Sequence, residues 1–235
     1  MGNLIFGKKC NDLICMDIDQ IDDKDISRGD GRILWLHGKR CNEKIFHFQS
    51  YSLRTYISMK STYVRANLGA IGPPDEVIAT FFPDQSYYEW FYKVSESNHE
   101  CYNSIIDEDK SLKDSLLSMT EFLKKRNYKV LIGFSQGCLM IMHLCHYYQK
   151  NNLTIPFQKI VMICGVAPLN KNESIKLNIP SLHIQGTKDP FYQRSRALED
   201  LYIAPIILTS FEGHNVPSKL NNIDIYEKIK DFCQN

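Results

Sequence analysis

Ser135 stands between two glycines, in Gly133-Phe134-Ser135-Gln136-Gly137, where an apolar run passes into a second apolar segment. This fits the pattern G-x-S-x-G, which gains meaning only with a strand before it and a helix after it. Both conditions are met by the residues: "YKVLIGF" reads as a strand and 136–149 as a helix. The glycines suit a turn so sharp that side chains there would collide, with Ser135 held at the apex in a strained conformation. A serine hydroxyl at neutral pH is a weak nucleophile, so the chemistry requires a base within hydrogen-bond reach.

Seven histidines compete for that role. His143 and His146 fall on the helix after Ser135 and point away from the turn. His183 lies inside a strand and reads as a satisfied core residue. His37 shapes a loop, and His47 and His99 lack a useful context. His214, in "FEGHNVP" after a C-terminal strand, has the shaped loop that a base needs. A carboxylate must hold its tautomer, and Asp189 in "IQGTKDPFY" follows the preceding strand. Glu212 is the rival, being nearer in sequence but awkwardly directed. The chain order Ser135, Asp189, His214 is that of a nucleophile-elbow hydrolase.

A tetrahedral intermediate also needs donors for its oxyanion. The backbone N–H of Gln136, at the start of the helix, is one. The loop "LWLHGKRCN" supplies the other from the N–H of Lys39, with Arg40 as a further candidate. The aromatic segment 83–108 carries Tyr87, Tyr88, Trp90, Phe91 and Tyr92. Those rings either line an acyl pocket or lid, or pack a long excursion onto the core. On the first reading Trp90, Tyr88 and Arg40 are the substrate contacts.

The elements that must position these residues follow from apolar patterning. Strands are expected at 32–37, 76–82, 128–134, 159–165, 181–186 and 204–211, the second broken by Pro83. Helices are expected at 46–60, 111–126, 136–149 and 222–233. Strands apolar on both faces, alternating with helices, imply an α/β class: a single domain with a mostly parallel sheet of about six strands, covered on both sides. In such sheets reacting groups gather at the carboxyl ends of the strands, where each candidate lies. Residues 17–30, "DIDQIDDKDISRGD", read as a solvated acidic arm, which divides the chain into an arm at 1–30 and a catalytic domain at 31–235.

Composition narrows the function classes. The 235 residues suffice for one domain with a full core. With 28 Lys and Arg against 27 Asp and Glu, the net charge of +1 gives no electrostatic basis for nucleic-acid binding. The eight cysteines lack disulfide-framework or metal-ligand spacing, so no metal site is expected and a reduced, cytoplasmic setting is. No stretch approaches a membrane-spanning length. The start "MGNLIFGKKC" places Gly2 and Cys10 as lipidation candidates, but Phe6 occupies the position where myristoylation asks for Ser or Thr, and the segment reads as an ordinary start.

Taken together, "WLHGKRCN", "YYEWF", "GFSQG", "GTKDP" and "EGHNVPSK" resemble the FSH family of serine hydrolases, over about residues 32 to 233. The resemblance implies an α/β-hydrolase fold and an esterase that uses no cofactor, with Ser135 as nucleophile, Asp189 as acid and His214 as base. It implies a small-molecule acyl ester or thioester as substrate, through an acyl-enzyme. Acyl-protein thioesterases share the GFSQG elbow and mark the runner-up activity; a non-catalytic binding protein on the same fold is the alternative from another class. Lys39-Arg40 depart from the family, whose members usually carry an apolar or aromatic residue after the His-Gly pair.

Overall fold

The computed structural model of the chain describes residues 9–10, 13–17, 32–92, 110–124, 126–168 and 176–235. Ten strands occur among them: β1 (Lys9–Cys10), β2 (Leu13–Asp17), β3 (Ile33–Leu36), β4 (Ser61–Val64), β5 (Leu68–Gly69), β6 (Tyr88–Glu89), β7 (Val130–Phe134), β8 (Lys159–Ile163), β9 (Ser181–Gly186) and β10 (Ile206–Ser210). The helices are α1 (Glu43–Gln49), α2 (Tyr51–Ile57), α3 (Glu76–Phe81), α4 (Lys110–Lys124), α5 (Gln136–Lys150), α6 (Tyr192–Glu199) and α7 (Ile223–Gln234).

The main sheet runs in the order β1-β2-β4-β3-β7-β8-β9-β10. Strands β4 to β10 in that order are mutually parallel, six in all, and β2 joins antiparallel to β4. The mostly parallel α/β sheet expected from the residues is therefore present. Chain order reverses at β3, whose partners are β4 on one side and β7 on the other. The crevice beyond the carboxyl ends of β3 and β7 is the place where such sheets collect ligands.

Each central strand is buried on both faces and feeds two cores. Leu34, Leu36 and Leu131 face one layer with Leu112, Leu116, Met119 and Leu123 of α4 and Met140, Ile141 and Leu144 of α5. Ile33, Trp35, Val130 and Ile132 face the other, with Ile45 and Phe46 of α1, Leu53 and Ile57 of α2 and Ile225 and Ile229 of α7. The period-two alternation of strands and the 3.6-residue stripe of helices account for this division.

One expected strand is a helix. Residues 76–82, "EVIATFF", are helical over Glu76–Phe81, with the Asp75 carboxylate accepting from the Ile78 N–H at 3.0 Å. A short apolar run carries no periodicity that separates helix from strand, and the aspartate cap decides for helix. The second parallel strand is instead Ser61–Val64, every residue of it buried. The helix expected at 46–60 breaks at Ser50 and ends at Ser58, which takes a left-handed conformation (φ 57°) and frees the chain to enter β4. Beyond Asp17, the acidic stretch at 17–30 lies outside the described residues, as do residues 1–8.

Candidate active site

Strand β7 ends in the elbow. Ser135 has φ 51° and ψ −113°, a conformation that a side-chain-bearing residue adopts only under constraint. Its N–H donates to the Ile163 carbonyl at 3.0 Å, and α5 begins at the next residue. A methyl group at Gly137 would run into the carbonyl oxygens of Leu36 and His37, the latter at 2.8 Å; one at Gly133 would meet the Cys138 nitrogen at 2.7 Å. The glycines thus let helix and strand approach until no side chain fits between them.

Strands β9 and β10 are parallel neighbours, so the loops beyond them lie side by side. The Lys188 N–H donates to the Glu212 carbonyl at 2.9 Å, and Gly186 gives the second loop room, since a methyl there would stand 2.6 Å from the Glu212 carbonyl oxygen. This brings Asp189 and His214 together. The His214 Nδ1–H donates to Asp189 Oδ2 at 2.7 Å, and the Ser135 hydroxyl donates to His214 Nε2 at 2.9 Å. Asp189 is 5% exposed and its other oxygen accepts the Phe191 N–H at 2.7 Å. A continuous hydrogen-bonded path therefore runs from buried carboxylate to imidazole to hydroxyl.

Glu212 takes no part in that path. Its carboxylate accepts from the Ser218 N–H at 3.1 Å, the Ser218 hydroxyl at 2.6 Å, Asn215 at 2.6 Å and Asn222 at 2.7 Å. Burial works to raise its carboxyl, and the donors of Ser218, Asn215 and Asn222 outweigh burial and hold it below the ordinary carboxylate value. It braces the loop that carries His214.

Beyond β3, the loop His37-Gly38-Lys39-Arg40 passes beside the elbow: a methyl on Gly38 would lie 3.4 Å from the Ser135 Cβ. The backbone of Lys39 thus follows a residue that adjoins Ser135, and Gln136 opens α5 at the next position. The side chains of the two cations are drawn elsewhere. Arg40, at φ 53°, directs Nε to Glu89 Oε1 at 3.3 Å and donates from Nη1 to the Pro73 carbonyl at 3.0 Å. Lys39 Nζ lies 3.8 Å from Glu89 Oε2. Arg40 thereby links the loop to the 71–89 excursion.

The aromatic segment divides. Trp90 is fully buried, with its indole N–H donating to the His37 carbonyl at 2.8 Å, so the expected substrate contact is corrected: no face of this ring is open. Phe91 is buried, and the Tyr87 hydroxyl donates to the Phe82 carbonyl at 2.6 Å. Tyr88, half-buried, has the Arg65 guanidinium over its ring at 4.9 Å. These rings pack the excursion onto the core. Two phenylalanines that the sequence did not single out flank His214 instead. Phe134 lies 5.1 Å and Phe191 5.2 Å from the His214 ring, and Phe191 is 43% exposed. Phe134 is the variable residue of G-x-S-x-G, and that position was the signal available.

Of the remaining histidines, His143 and His183 are buried and burial lowers them to about 3 and about 4. His99 lies outside the described residues. Among the described residues, Cys164, Asp189 and His214 offer potential metal-ligand atoms within 4.8 Å of one another. Asp189 and His214 are already engaged with each other there, and burial pushes the Cys164 thiol up to about 12. No helix among the described residues is long and apolar enough to cross a membrane.

A family profile described as serine hydrolase (FSH1) matches residues 27–226. The chain is 29% identical to Esterase AAEL000016 of Aedes aegypti over 203 residues, covering 83% of this chain and 73% of that protein. It is 25% identical to Thioesterase FSL2 of Gibberella zeae over 214 residues, covering 79% of this chain and 85% of that protein. Among solved structures, a carboxylesterase from Mesorhizobium loti superposes with a TM-score of 0.63 at 16% identity, over 97% of this chain and 99% of that one, a likeness of fold.

Proposed function

The chain belongs to the FSH1 serine hydrolase family, and from that footing we propose that it cleaves acyl esters through an acyl-enzyme on Ser135. The observation that carries this reading is the path from Asp189 through His214 to Ser135, at 2.7 and 2.9 Å.

In the proposed reaction His214 Nε2 takes the hydroxyl proton as Ser135 Oγ bonds to the ester carbonyl carbon. The carbonyl oxygen becomes the oxyanion and faces the N–H groups of Gln136 and Lys39. Collapse of this adduct breaks the bond to the leaving alcohol, which receives its proton from His214. Water then repeats the sequence: His214 accepts a proton from water, hydroxide adds to the acyl carbon, and Ser135 Oγ leaves with the proton returned. Asp189 keeps the Nδ1 proton in place and stabilises the imidazolium without itself becoming protonated. Each step is supplied by side chains and backbone of this chain, so the route calls for no cofactor and no nucleic-acid partner.

Phe134 and Phe191 border the base and suit the apolar flank of an acyl substrate. A thioester would follow the same route with a thiol as leaving group, and the kinship with a protein named as a thioesterase favours keeping that second reading. Fluorophosphonate labelling of the native protein tests the mechanism: a stoichiometric adduct on Ser135, absent in Ser135→Ala, is expected, and an unlabelled native protein overturns it. Turnover of nitrophenyl esters of rising chain length, set against a palmitoylated peptide, separates ester from protein-thioester hydrolysis.

A further inference from the structure

We infer that Trp90 and His37 are positioning residues that fix the direction of the Lys39 oxyanion donor and tie it to the Gln136 donor; the inference rests on the mechanism proposed above. The two peptide planes on either side of Gly38 are both pinned. The carbonyl of His37 accepts the Trp90 indole N–H at 2.8 Å. The carbonyl of Gly38 lies 2.7 Å from His37 Nδ1.

The tautomer of His37 follows from its partners. Nε2 lies 3.0 Å from the Ala66 backbone nitrogen, which can only donate, so Nε2 is the acceptor. The ring proton is therefore on Nδ1 and is donated to the Gly38 carbonyl. Burial keeps the ring neutral, lowering its pKa to about 4 against the opposing bond to Gly38. The described chain has no cis peptide bonds, so the Lys39 N–H points opposite to the Gly38 carbonyl, away from the His37 ring. Gly38 is the one residue of this loop without a side chain to restrict its dihedral angles. With both flanking carbonyls held, that freedom is removed and the Lys39 N–H has one direction.

Trp90 also reaches the other donor. Its backbone N–H donates to Gln136 Oε1 at 3.0 Å, and Gln136 Nε2 donates to the Phe91 carbonyl at 2.8 Å. The Ser115 hydroxyl of α4 donates to the Trp90 carbonyl. The residue whose N–H serves as the first donor thus grips, with its side chain, the same tryptophan that pins the loop carrying the second. Trp90 is 0% exposed, His37 0% and Gln136 7%, so water does not compete for these bonds. Donors held before the reaction need no reorganisation as the oxyanion forms, which is the source of their effect.

Trp90→Phe removes the indole N–H and keeps an aromatic ring. The expected result is a fall in kcat of roughly 10- to 100-fold with KM within about twofold, since the lost term acts on the transition state alone. The pH dependence of kcat/KM should be unchanged, because Asp189 and His214 are untouched. Affinity for a trifluoromethyl ketone, whose adduct places an oxyanion at the same donors, should fall by the same factor as kcat. His37→Asn retains an N–H toward the Gly38 carbonyl and should keep most turnover, while His37→Leu should fall to the level of Trp90→Phe. This pair carries the test if Trp90→Phe does not fold. Wild-type turnover in Trp90→Phe, or unchanged ketone affinity in a folded variant, overturns the inference, as does equal loss in His37→Asn and His37→Leu. A wild-type protein without Ser135-dependent turnover overturns the underlying mechanism, and is distinguished by failing before any variant is compared.

Discussion

His214 turns its Nδ1 to Asp189 Oδ2, 2.7 Å away and 25 residues earlier in the chain. Glu212, two positions from the histidine, points instead to Ser218, Asn215 and Asn222. The pairing across two parallel strand ends gives the two carboxylates separate consequences when altered.

Asp189→Asn should lower kcat by roughly 10³- to 10⁴-fold in a folded protein. The amide oxygen would stay with the Phe191 N–H, leaving the NH₂ to face His214 Nδ1. That arrangement moves the ring proton to Nε2, which then cannot accept from Ser135. Glu212→Gln should leave kcat within about twofold and lower the thermal midpoint, because its bonds hold the loop and not the ring. Steady-state turnover and thermal melts of both variants provide the check, and a tenth or more of wild-type kcat in Asp189→Asn would sink the assignment.

Two glycines near Ser135 should respond differently to alanine. At Gly137 the obstruction is backbone, the carbonyl oxygens of Leu36 and His37, and neither can turn aside. Gly137→Ala should lose at least the ~1–3 kcal/mol of an overpacked core site. At Gly38 the nearest obstruction is the Phe134 ring, 2.9 Å from the added methyl, which can rotate. Gly38→Ala should keep its stability to within about 1 kcal/mol. Its kcat should nevertheless fall, since Phe134 lies against His214 and the methyl also approaches Ser135. Urea midpoints read the first effect and turnover per folded molecule the second.

Three of the buried histidines should weaken stability in acid. His37 and His183 are lowered to about 4 and His143 to about 3, with burial the leading cause in each. From an ordinary value of 6.5, the unfolded chain takes up these protons first as pH falls. Stability is therefore retained above pH 6.5 and declines as pH drops toward 4, by up to ~1.4 kcal/mol per pH unit for each histidine. Denaturant midpoints measured at pH 7.5, 6, 5 and 4.5 should fall in that order. His183→Gln should flatten the slope, whereas a midpoint constant across this range would show that the three rings are not neutral in the native state.

Much of the site was legible along the chain because its parts follow strands. Ser135, Asp189 and His214 each lie just beyond an apolar run, and a parallel sheet aligns the carboxyl ends of such runs whatever the loops contain. The identity of one strand was not legible. Glu76–Phe81 is as apolar as a buried strand, yet none of its residues is buried, while Ser61–Val64 begins with two hydroxyl residues and is wholly buried. Local composition reports how apolar a segment is, and its partner in space decides whether it is covered.

The role of Trp90 shows where sequence reasoning ends. An aromatic cluster between strand and nucleophile suggests a substrate wall, and only the fold reveals that the indole is enclosed and spends its one donor on the His37 carbonyl. By itself, the sequence determined the parallel α/β class, the glycine-flanked turn and the placement of Ser135, Asp189 and His214 just beyond strand ends, because these depend on periodicity and on chain order. The tertiary structure decided which side chains face the crevice and which carbonyls are pinned. Those depend on hydrogen bonds between residues as far apart as His37, Trp90 and Gln136, whose meeting no local pattern encodes.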